Sequence, residues 1–247
     1  MFRTLFLLFI VACTGSENAR DDASPASSWV HENMVRKQIA ARGIRDPRIL
    51  EAMRRVPRHE FVPKEVRPLA YRDRPLPIGY GQTISQPFVM AYMTERLAPE
   101  ETDRILEVGT GSGYQAAILA ELAAEVYTIE IVAPLAARAA ADLKRLGYDN
   151  VHVREGDGYQ GWPEHAPFDG VIVTAAPDHV PRPLVEQLAP GGRMILPLGD
   201  VSQRLVLITK DADGTVEQSE LLPVRFVPMT GEAEDTGTDG GDPGNKP

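Results

Sequence analysis

Apolar and polar positions in the second half of the chain follow two alternating periods. Short runs of β-branched and leucine residues, typical of buried strands, are separated by longer segments whose apolar residues recur at helical spacing. The strands are predicted at residues 104–108, 125–130, 151–154, 171–175, 193–198, 205–209 and 222–227. Helices are predicted between the first three strands, at 114–124 and 133–146. Strands that alternate with helices in this way favour right-handed crossovers, so we expect an α/β fold with a doubly wound, mostly parallel sheet and helices on both faces.

The first half of the chain predicts helices and loops that precede this sheet. Apolar residues recur at helical spacing after Trp29, and Gly43 is a suitable end for that helix. Asp46 followed by Pro47 has the pattern of an N-cap and a first helical residue, which predicts a second short helix. Residues 57–87 are rich in proline and have no long periodic run, so loops and short extended segments are expected there.

The two ends of the chain differ in composition from its body. An apolar run that follows Arg3 and ends at Cys13 is too short to span a bilayer and resembles the lipobox leader of bacterial lipoproteins. Residues 14–28 predict a disordered tether, and residues 231–247, with five acidic residues against one lysine, predict a disordered acidic tail. The folded domain is then expected at 29–230, as an N-terminal helical and loop part (29–103) and a ligand-binding part (104–230).

These ends leave two locations open. Lipidation of Cys13 would place the protein at the cell envelope, with the lipid as its membrane contact. A translation start near Met34 would instead remove the leader and leave the protein in the cytoplasm.

Composition and charge exclude several classes of function. The chain has 43% hydrophobic and 25% charged residues, which is ordinary for a globular protein. Its net charge of −9 argues against a broad nucleic-acid-binding surface. With one cysteine and five scattered histidines, we expect no disulfide framework and no metal site, and we interpret all five histidines as surface residues.

The most informative motif is a glycine turn at residues 107–113, which reads E-V-G-T-G-S-G between a predicted strand and a predicted helix. Such a turn lets the backbone approach a ligand closely. Its third glycine comes one residue too early for a dinucleotide fingerprint, and it has neither the lysine of a P-loop nor the serine of a nucleophile elbow. The turn instead resembles motif I of class I S-adenosylmethionine-dependent methyltransferases. In such enzymes an acid after the second strand binds the ribose hydroxyls and an acid after the third binds the adenine amino group, and Glu130 and Asp157 match these positions.

A second stretch suggests the acceptor. Residues 76–87, L-P-I-G-Y-G-Q-T-I-S-Q-P, resemble the loop before motif I in protein-L-isoaspartate O-methyltransferases, and the resemblance extends from about Met34 to Thr230. It implies a Rossmann-like methyltransferase sheet with an N-terminal extension. It also implies an enzyme that transfers the methyl group of S-adenosylmethionine to the free carboxylate of L-isoaspartyl residues in damaged peptides and proteins. We expect the chain to be a monomer.

The resemblance also implies roles for individual residues. Ser85 is the expected catalytic residue. The residues expected to bind S-adenosylmethionine are Thr83, Ile84, Glu107, Gly109, Gly111, Gly113, Gln115, Glu130, Ile131, Asp157 and Gly158. Those expected to bind the peptide are Pro87, Phe88, Val227 and Thr230.

The implied chemistry needs few groups. A carboxylate acceptor is already ionised at neutral pH, so no general base is required, and orientation of the reacting atoms supplies most of the catalysis. A basic cluster at Arg54, Arg55 and Arg58 could approach a substrate carboxylate, but we interpret it as a solvated helix end. Two alternatives stay open: a methyltransferase that acts on another carboxylate or a small molecule, and a non-catalytic envelope lipoprotein that binds a nucleoside or a peptide.

Overall fold

The computed structural model describes residues 25–235 of the chain, and side chains from residue 29 to residue 233. The predicted leader, its Cys13 and most of the predicted tether and tail lie outside the described residues. Within those predicted segments, a helix begins at Pro25 and another covers Glu232–Asp235. None of the helices in the described range is long and apolar enough to cross a bilayer.

The N-terminal part contains three α-helices, one hairpin, a π-helical and a 3-10 turn after α1, and two 3-10 helices, Arg58–Phe61 and Lys64–Leu69. The α-helices are α1 (Pro25–Met34), α2 (Pro47–Arg55) and α3 (Pro87–Leu97). The hairpin, which precedes α3, pairs β1 (Leu76–Gly79) with β2 (Gln82–Ile84) in antiparallel fashion. It lies in the region where the proline-rich sequence predicts only loops and short extended segments.

The start of α2 confirms the capping pattern in the sequence. Asp46 has extended backbone angles, and its Oδ1 accepts a hydrogen bond of 2.8 Å from the main-chain N–H of Arg48. Pro47 is the first residue of the helix. The preceding helical segment continues from α1 through a π-helical and a 3-10 turn and ends at Gly43, whose φ of +103° places it in the left-handed region.

The remaining strands form one seven-stranded sheet, which confirms the predicted fold class. The strands are β3 (Arg104–Val108), β4 (Glu125–Glu130), β5 (Val151–Glu155), β6 (Phe168–Val173), β7 (Leu188–Leu198), β8 (Gln203–Lys210) and β9 (Val216–Val224). Their order is β5-β4-β3-β6-β7-β8-β9; the first five strands are parallel to one another, and β8 pairs antiparallel with both β7 and β9. The other helices are α4 (Tyr114–Ala120), α5 (Ala133–Arg145), α6 (Arg182–Glu186) and α7 (Glu232–Asp235).

The last strand departs most from its predicted position. It ends at Val224 rather than at residue 227, and it begins earlier, at Val216. Beyond Val224 the chain leaves the sheet because the main-chain N–H of Phe226 donates to the side-chain Oε1 of Gln203, at 2.6 Å, instead of to a strand carbonyl. Most side chains of β9 are exposed, so no buried periodicity marks this edge strand in the sequence.

Hydrophobic clusters cover both faces of the sheet, and the N-terminal part packs against one of them. The prediction that Arg54, Arg55 and Arg58 form a solvated helix end is wrong for Arg58, which is entirely buried in this packing. The prediction for the histidines is also wrong in part: His152 is exposed, whereas His31 and the other three are half-buried.

Candidate functional site

The glycine turn lies at the carboxyl end of β3, where β6 passes beside it. Gly109 has a φ of +95°, and a Cβ added there would lie 2.5 Å from Oγ1 of Thr174. Thr174 follows β6, and its hydroxyl donates to the carbonyl oxygen of Gly109 at 2.7 Å. The turn therefore requires glycine both for its backbone conformation and for its approach to the neighbouring strand.

Glu130, the last residue of β4, holds the glycine turn from the other side. Its Oε2 accepts a hydrogen bond of 2.7 Å from the N–H of Gly111, and its Oε1 accepts one of 2.9 Å from the N–H of Val132. The residue is 5% exposed. An ionised carboxylate has about four acceptor positions, so these two bonds leave further capacity for hydroxyl donors.

Glu107 is the most strongly perturbed acid of the site. It is fully buried, and its Oε2 accepts a bond of 2.5 Å from the hydroxyl of Thr128, which is itself 2.7 Å from the hydroxyl of Thr110. Its Oε1 is buried without a hydrogen-bond partner among the described residues. Burial, followed by repulsion from Glu130, raises the pKa of Glu107 to about 8.

A cleft opens above the turn at the carboxyl ends of β3, β4 and β6, the edge where open α/β sheets bind ligands. We call it the glycine cleft. Counted to its mouth and including the open solvent there, it has a volume of about 580 Å³. It is lined by Gln82, Thr83, Val108, Gly109, Gly111, Ile129, Glu130, Ile131, Gly158, Thr174, Ala175, Val227, Pro228, Met229 and Thr230.

A second cleft, which we call the serine cleft, adjoins the first. It has a volume of about 980 Å³ to its mouth. It is lined by Pro75, Thr83, Ser85, Gln86, Val89, Thr174, Pro223, Val224, Arg225, Phe226 and Val227. Three residues, Thr83, Thr174 and Val227, line both clefts, so groups held in the two clefts can meet at this shared wall.

Most residues assigned from the sequence line these clefts. Ser85 lines the serine cleft. The glycine cleft is lined by the following assigned residues: Thr83, Gly109, Gly111, Glu130, Ile131, Gly158, Val227 and Thr230. Val227 and Thr230, expected to contact peptide, thus lie at the glycine cleft, and Val227 also borders the serine cleft.

Other assigned residues lie behind the cleft walls. Ile84 is buried in the core, and Gln115 is buried on α4, where its Nε2 donates to Thr94 at 3.0 Å. A Cβ at Gly113 would contact Leu143 of α5 at 3.2 Å, so this glycine permits helix packing rather than cleft access.

Asp157 also has partners of its own within the chain. Its Oδ1 accepts from the N–H of Tyr159 at 2.9 Å, which caps a short 3-10 helix, and its Oδ2 accepts from the N–H of Glu232 at 2.7 Å. Its neighbour Gly158 lines the glycine cleft. Asp157 therefore holds the loop that carries Gly158 together with the chain around α7.

Pro87 and Phe88, assigned to the peptide, lie in the first turn of α3. Both are buried, and neither lines the serine cleft. The guanidinium carbon of Arg42 lies 3.4 Å from the centre of the Phe88 ring. These two residues therefore support the segment that follows Ser85 instead of forming the cleft wall.

Among the cleft-lining residues that sequence reasoning did not assign, Thr174 and Arg225 carry polar or charged groups. Thr174 follows β6, and the rule that ligands bind at the carboxyl ends of parallel strands would have indicated it. Arg225 is the single charged residue among those described as lining the serine cleft, and no local pattern marks it. In the described part of the chain, no group of three or more His, Cys, Asp or Glu side chains is arranged to hold a metal ion.

The arrangement fits S-adenosylmethionine. Gly109 and Gly111 leave main chain at the cleft surface, and Glu130 brings a carboxylate with free acceptor capacity for a ribose diol. No lysine lines the glycine cleft, so a pyrophosphate would meet no balancing charge from the described residues there.

Comparison with known sequences gives a consistent set of relatives. A model of the protein-L-isoaspartate(D-aspartate) O-methyltransferase family matches residues 29–234. A protein-L-isoaspartate O-methyltransferase of Synechococcus sp. (strain JA-2-3B'a(2-13)) is 57% identical over 218 residues, which cover 84% of this chain and 88% of the relative. One of Gloeobacter violaceus is 56% identical over 201 residues, which cover 81% of this chain and 98% of the relative.

Solved structures agree with the sequence relatives. A protein-L-isoaspartate O-methyltransferase superposes with a TM-score of 0.76 at 31% identity, covering 82% of this chain and 67% of the other. A protein of Plasmodium falciparum described as an enzyme of the same kind, in complex with S-adenosyl-L-homocysteine, superposes with a TM-score of 0.72 at 28% identity. That match covers 81% of this chain and 98% of the other.

Proposed function

The chain belongs to the protein-L-isoaspartate(D-aspartate) O-methyltransferase family, and we propose that it transfers the methyl group of S-adenosylmethionine to the free carboxylate of L-isoaspartyl residues in damaged peptides and proteins. The observation that carries this proposal is the shared wall of the two clefts. Ser85 lines one cleft, the glycine turn and Glu130 line the other, and Thr83 stands between them.

The glycine cleft is the cofactor site. S-adenosylmethionine supplies a methyl group on a positively charged sulfur, which makes the methyl carbon a strong electrophile. Glu130 accepts hydrogen bonds from the ribose hydroxyls, and the main chain at Gly109 and Gly111 forms the floor of the site. The side chain of Ile131 gives the nucleoside an apolar surface, and Gly158, which has no side chain, lets it approach the main chain closely.

The serine cleft receives the acceptor. An isoaspartyl carboxylate is ionised at neutral pH and needs no base, so the protein has to align one carboxylate oxygen with the methyl carbon and sulfur. The Ser85 hydroxyl donates a hydrogen bond to the other carboxylate oxygen and orients the group. A neutral donor does this without the ion pair that would weaken the nucleophile.

Replacement of Ser85 tests this assignment. In Ser85→Ala we expect kcat on an isoaspartyl peptide to fall on the order of 10–100-fold because the acceptor loses orientation. The dissociation constant of S-adenosylhomocysteine, measured by calorimetry, should stay unchanged. Ser202→Ala, at an exposed position outside both clefts, is the matched control. Equal losses in kcat and cofactor affinity would show that Ser85 contributes to cofactor binding instead. An unchanged kcat would show that Ser85 has no role in the reaction.

The location of the enzyme rests on its N-terminus. Lipidation at Cys13 stays a sequence prediction, and the alternative is a start near Met34. A start at Met34 would remove α1, in which Nδ1 of His31 lies 3.1 Å from the carbonyl oxygen of Arg54 and Glu32 pairs with the Arg54 guanidinium at 2.7 Å. The family model also begins to match at residue 29, so both observations favour an upstream start. Mass spectrometry of the native N-terminus decides: a diacylglyceryl group on Cys13 supports the envelope, and a chain that begins at Met34 excludes it.

A further inference from the structure

The guanidinium of Arg58 is fully buried and bonds directly to the main chain of Ser85. Nη2 of Arg58 donates to the Ser85 carbonyl oxygen at 2.6 Å, and its Nε donates to the carbonyl oxygen of Ala70 at 2.8 Å. Nη1 lies 3.5 Å from the sulfur of Met90, and the guanidinium carbon lies 4.8 Å from the centre of the Tyr114 ring. These donors thus reach main-chain oxygens, a sulfur and a ring rather than a carboxylate.

Such a group is costly to bury, because the charge loses its hydration and none of its donors contacts a carboxylate; attraction to Asp73 offsets only part of this cost. Burial lowers the pKa of Arg58 to about 10, which leaves it protonated at neutral pH. The side chain spans from the 3-10 helix after α2, Arg58–Phe61, to the loop between β2 and α3, so it ties these two segments of the N-terminal part together.

Asp73 holds the chain just after Ser85, at Gln86 and Phe88. Its Oδ1 accepts from the N–H of Phe88 at 3.1 Å, and its Oδ2 accepts from the side-chain amide of Gln86 at 2.7 Å. Phe88 is in the first turn of α3, where N–H groups have no partner inside the helix, and Gln86 at the N-cap supplies no side-chain bond of its own. Asp73 therefore caps α3 from outside the helix.

Arg42 in turn holds Asp73 and the Phe88 ring. Its Nη1 donates to Oδ2 of Asp73 at 2.7 Å, and its guanidinium lies over the Phe88 ring. The chain that follows the Ser85 hydroxyl is thus fixed by separate groups, Arg58 at the Ser85 carbonyl and Asp73 at the side-chain amide of Gln86 and the main-chain N–H of Phe88.

We propose that Arg58 and Asp73 are positioning residues for the methyl transfer, and that they set the direction of the Ser85 hydroxyl by holding the Ser85 carbonyl and the start of α3 that follows it. The inference rests on the proposed role of Ser85. A bond to the Ser85 carbonyl and a capped α3 limit the backbone angles at residue 85, and those angles limit where the hydroxyl can point. Orientation of a reacting group is sensitive to displacements of about 1 Å, so the effect should be on kcat.

A double-mutant cycle with Ser85→Ala separates positioning from a general structural role. The variants are Arg58→Lys, Asp73→Asn, Ser85→Ala and the two doubles, with Arg55→Lys as the control arginine. Arg55 is exposed and pairs with Glu51 and Glu121, away from Ser85. Each protein is assayed for kcat on an isoaspartyl peptide, for the dissociation constant of S-adenosylhomocysteine and for Tm.

With Ser85 present, Arg58→Lys and Asp73→Asn should each lower kcat by about tenfold or more, with cofactor affinity unchanged and Arg55→Lys without effect. In the Ser85→Ala background the same substitutions should change kcat by less than about twofold, because no hydroxyl is left to orient. If Arg58→Lys does not fold, the Asp73→Asn cycle carries the test.

Two results would overturn the inference and leave the proposed function standing. One is an equal loss of kcat in both backgrounds, which would make Arg58 and Asp73 purely structural. The other is an unchanged kcat in both single variants while Ser85→Ala is impaired. If Ser85→Ala itself keeps full kcat, the role proposed for Ser85 is wrong. The positioning role proposed for Arg58 and Asp73 is then wrong as well.

Discussion

The Oε2 of Glu130 accepts a hydrogen bond of 2.7 Å from the main-chain N–H of Gly111. A residue at the end of β4 thereby fixes the turn at the end of β3, and the same carboxylate lines the cleft that the turn forms. On the proposed assignment, the structure of the turn and the binding of the cofactor both depend on this one side chain. An acid at this position therefore prepares the site before the cofactor enters it.

Replacement of this acid by its amide should weaken cofactor binding. In Glu130→Gln one of the two bonds, to Gly111 or to Val132, must be lost because the amide presents only one acceptor oxygen. We expect the dissociation constant of S-adenosylhomocysteine, measured by calorimetry, to rise on the order of 10–100-fold. Glu125→Gln, at the opposite end of the same strand, should leave it unchanged. Equal affinities in the two variants would contradict the assignment of Glu130.

Glu107 predicts a pH dependence of stability. Burial raises its pKa in the folded chain to about 8, from near 4.5, so the folded state binds more protons than the unfolded state between these values. Its contribution to the free energy of unfolding is therefore fully present below about pH 4.5 and is lost as the pH rises through 8. Glu107→Gln cannot titrate.

Urea unfolding at pH 5.5 and pH 8.5 measures this contribution. We expect the wild-type chain to lose at least about 1.4 kcal/mol more than Glu107→Gln between the two values, which corresponds to one pKa unit. Subtracting the loss of unfolding free energy in Glu107→Gln from the loss in the wild-type chain removes the contributions of the groups that titrate in both proteins. An identical loss in both would mean that Glu107 is ionised in the folded chain.

Arg225 should select anionic acceptors. It is the charged member among the described residues that line the serine cleft, in a chain whose net charge is −9. In Arg225→Ala we expect KM for an isoaspartyl peptide to rise about 3–10-fold at low salt, with kcat nearly unchanged, and the difference to shrink as salt screens the charge. Arg204→Ala, which breaks a pair with Glu220 on β8 and β9, is the control. A salt-independent change in KM would instead indicate lost packing.

The sequence identifies the sheet and the glycine turn well because both are local patterns. The bounds of β3 and β4 agree with the apolar runs that predict them, and Asp46 with Pro47 marks the start of α2. In each case the residues that determine the structure are neighbours in the chain. The hairpin of β1 and β2 has only short strands between prolines, so it gave no comparable signal.

The surroundings of Ser85 could not be predicted in this way. Arg58 lies beside other arginines in the sequence, and only packing of the N-terminal part against the sheet shows that it is buried. Its bond to Ser85 joins positions 27 residues apart, and the bond of Asp73 to Phe88 joins positions 15 apart. Similarly, Phe88 follows Ser85 closely in sequence, yet the turn of α3 carries it away from the cleft.

The central claim is that the acceptor is an isoaspartyl carboxylate, and a pair of peptides tests it most directly. The two peptides have the same sequence and differ only in whether one residue is L-isoaspartyl or L-aspartyl. With the methyl group of S-adenosylmethionine labelled, the full chain should label the isoaspartyl peptide and leave its twin unlabelled. Equal labelling of the two peptides, or labelling of neither, would contradict the account.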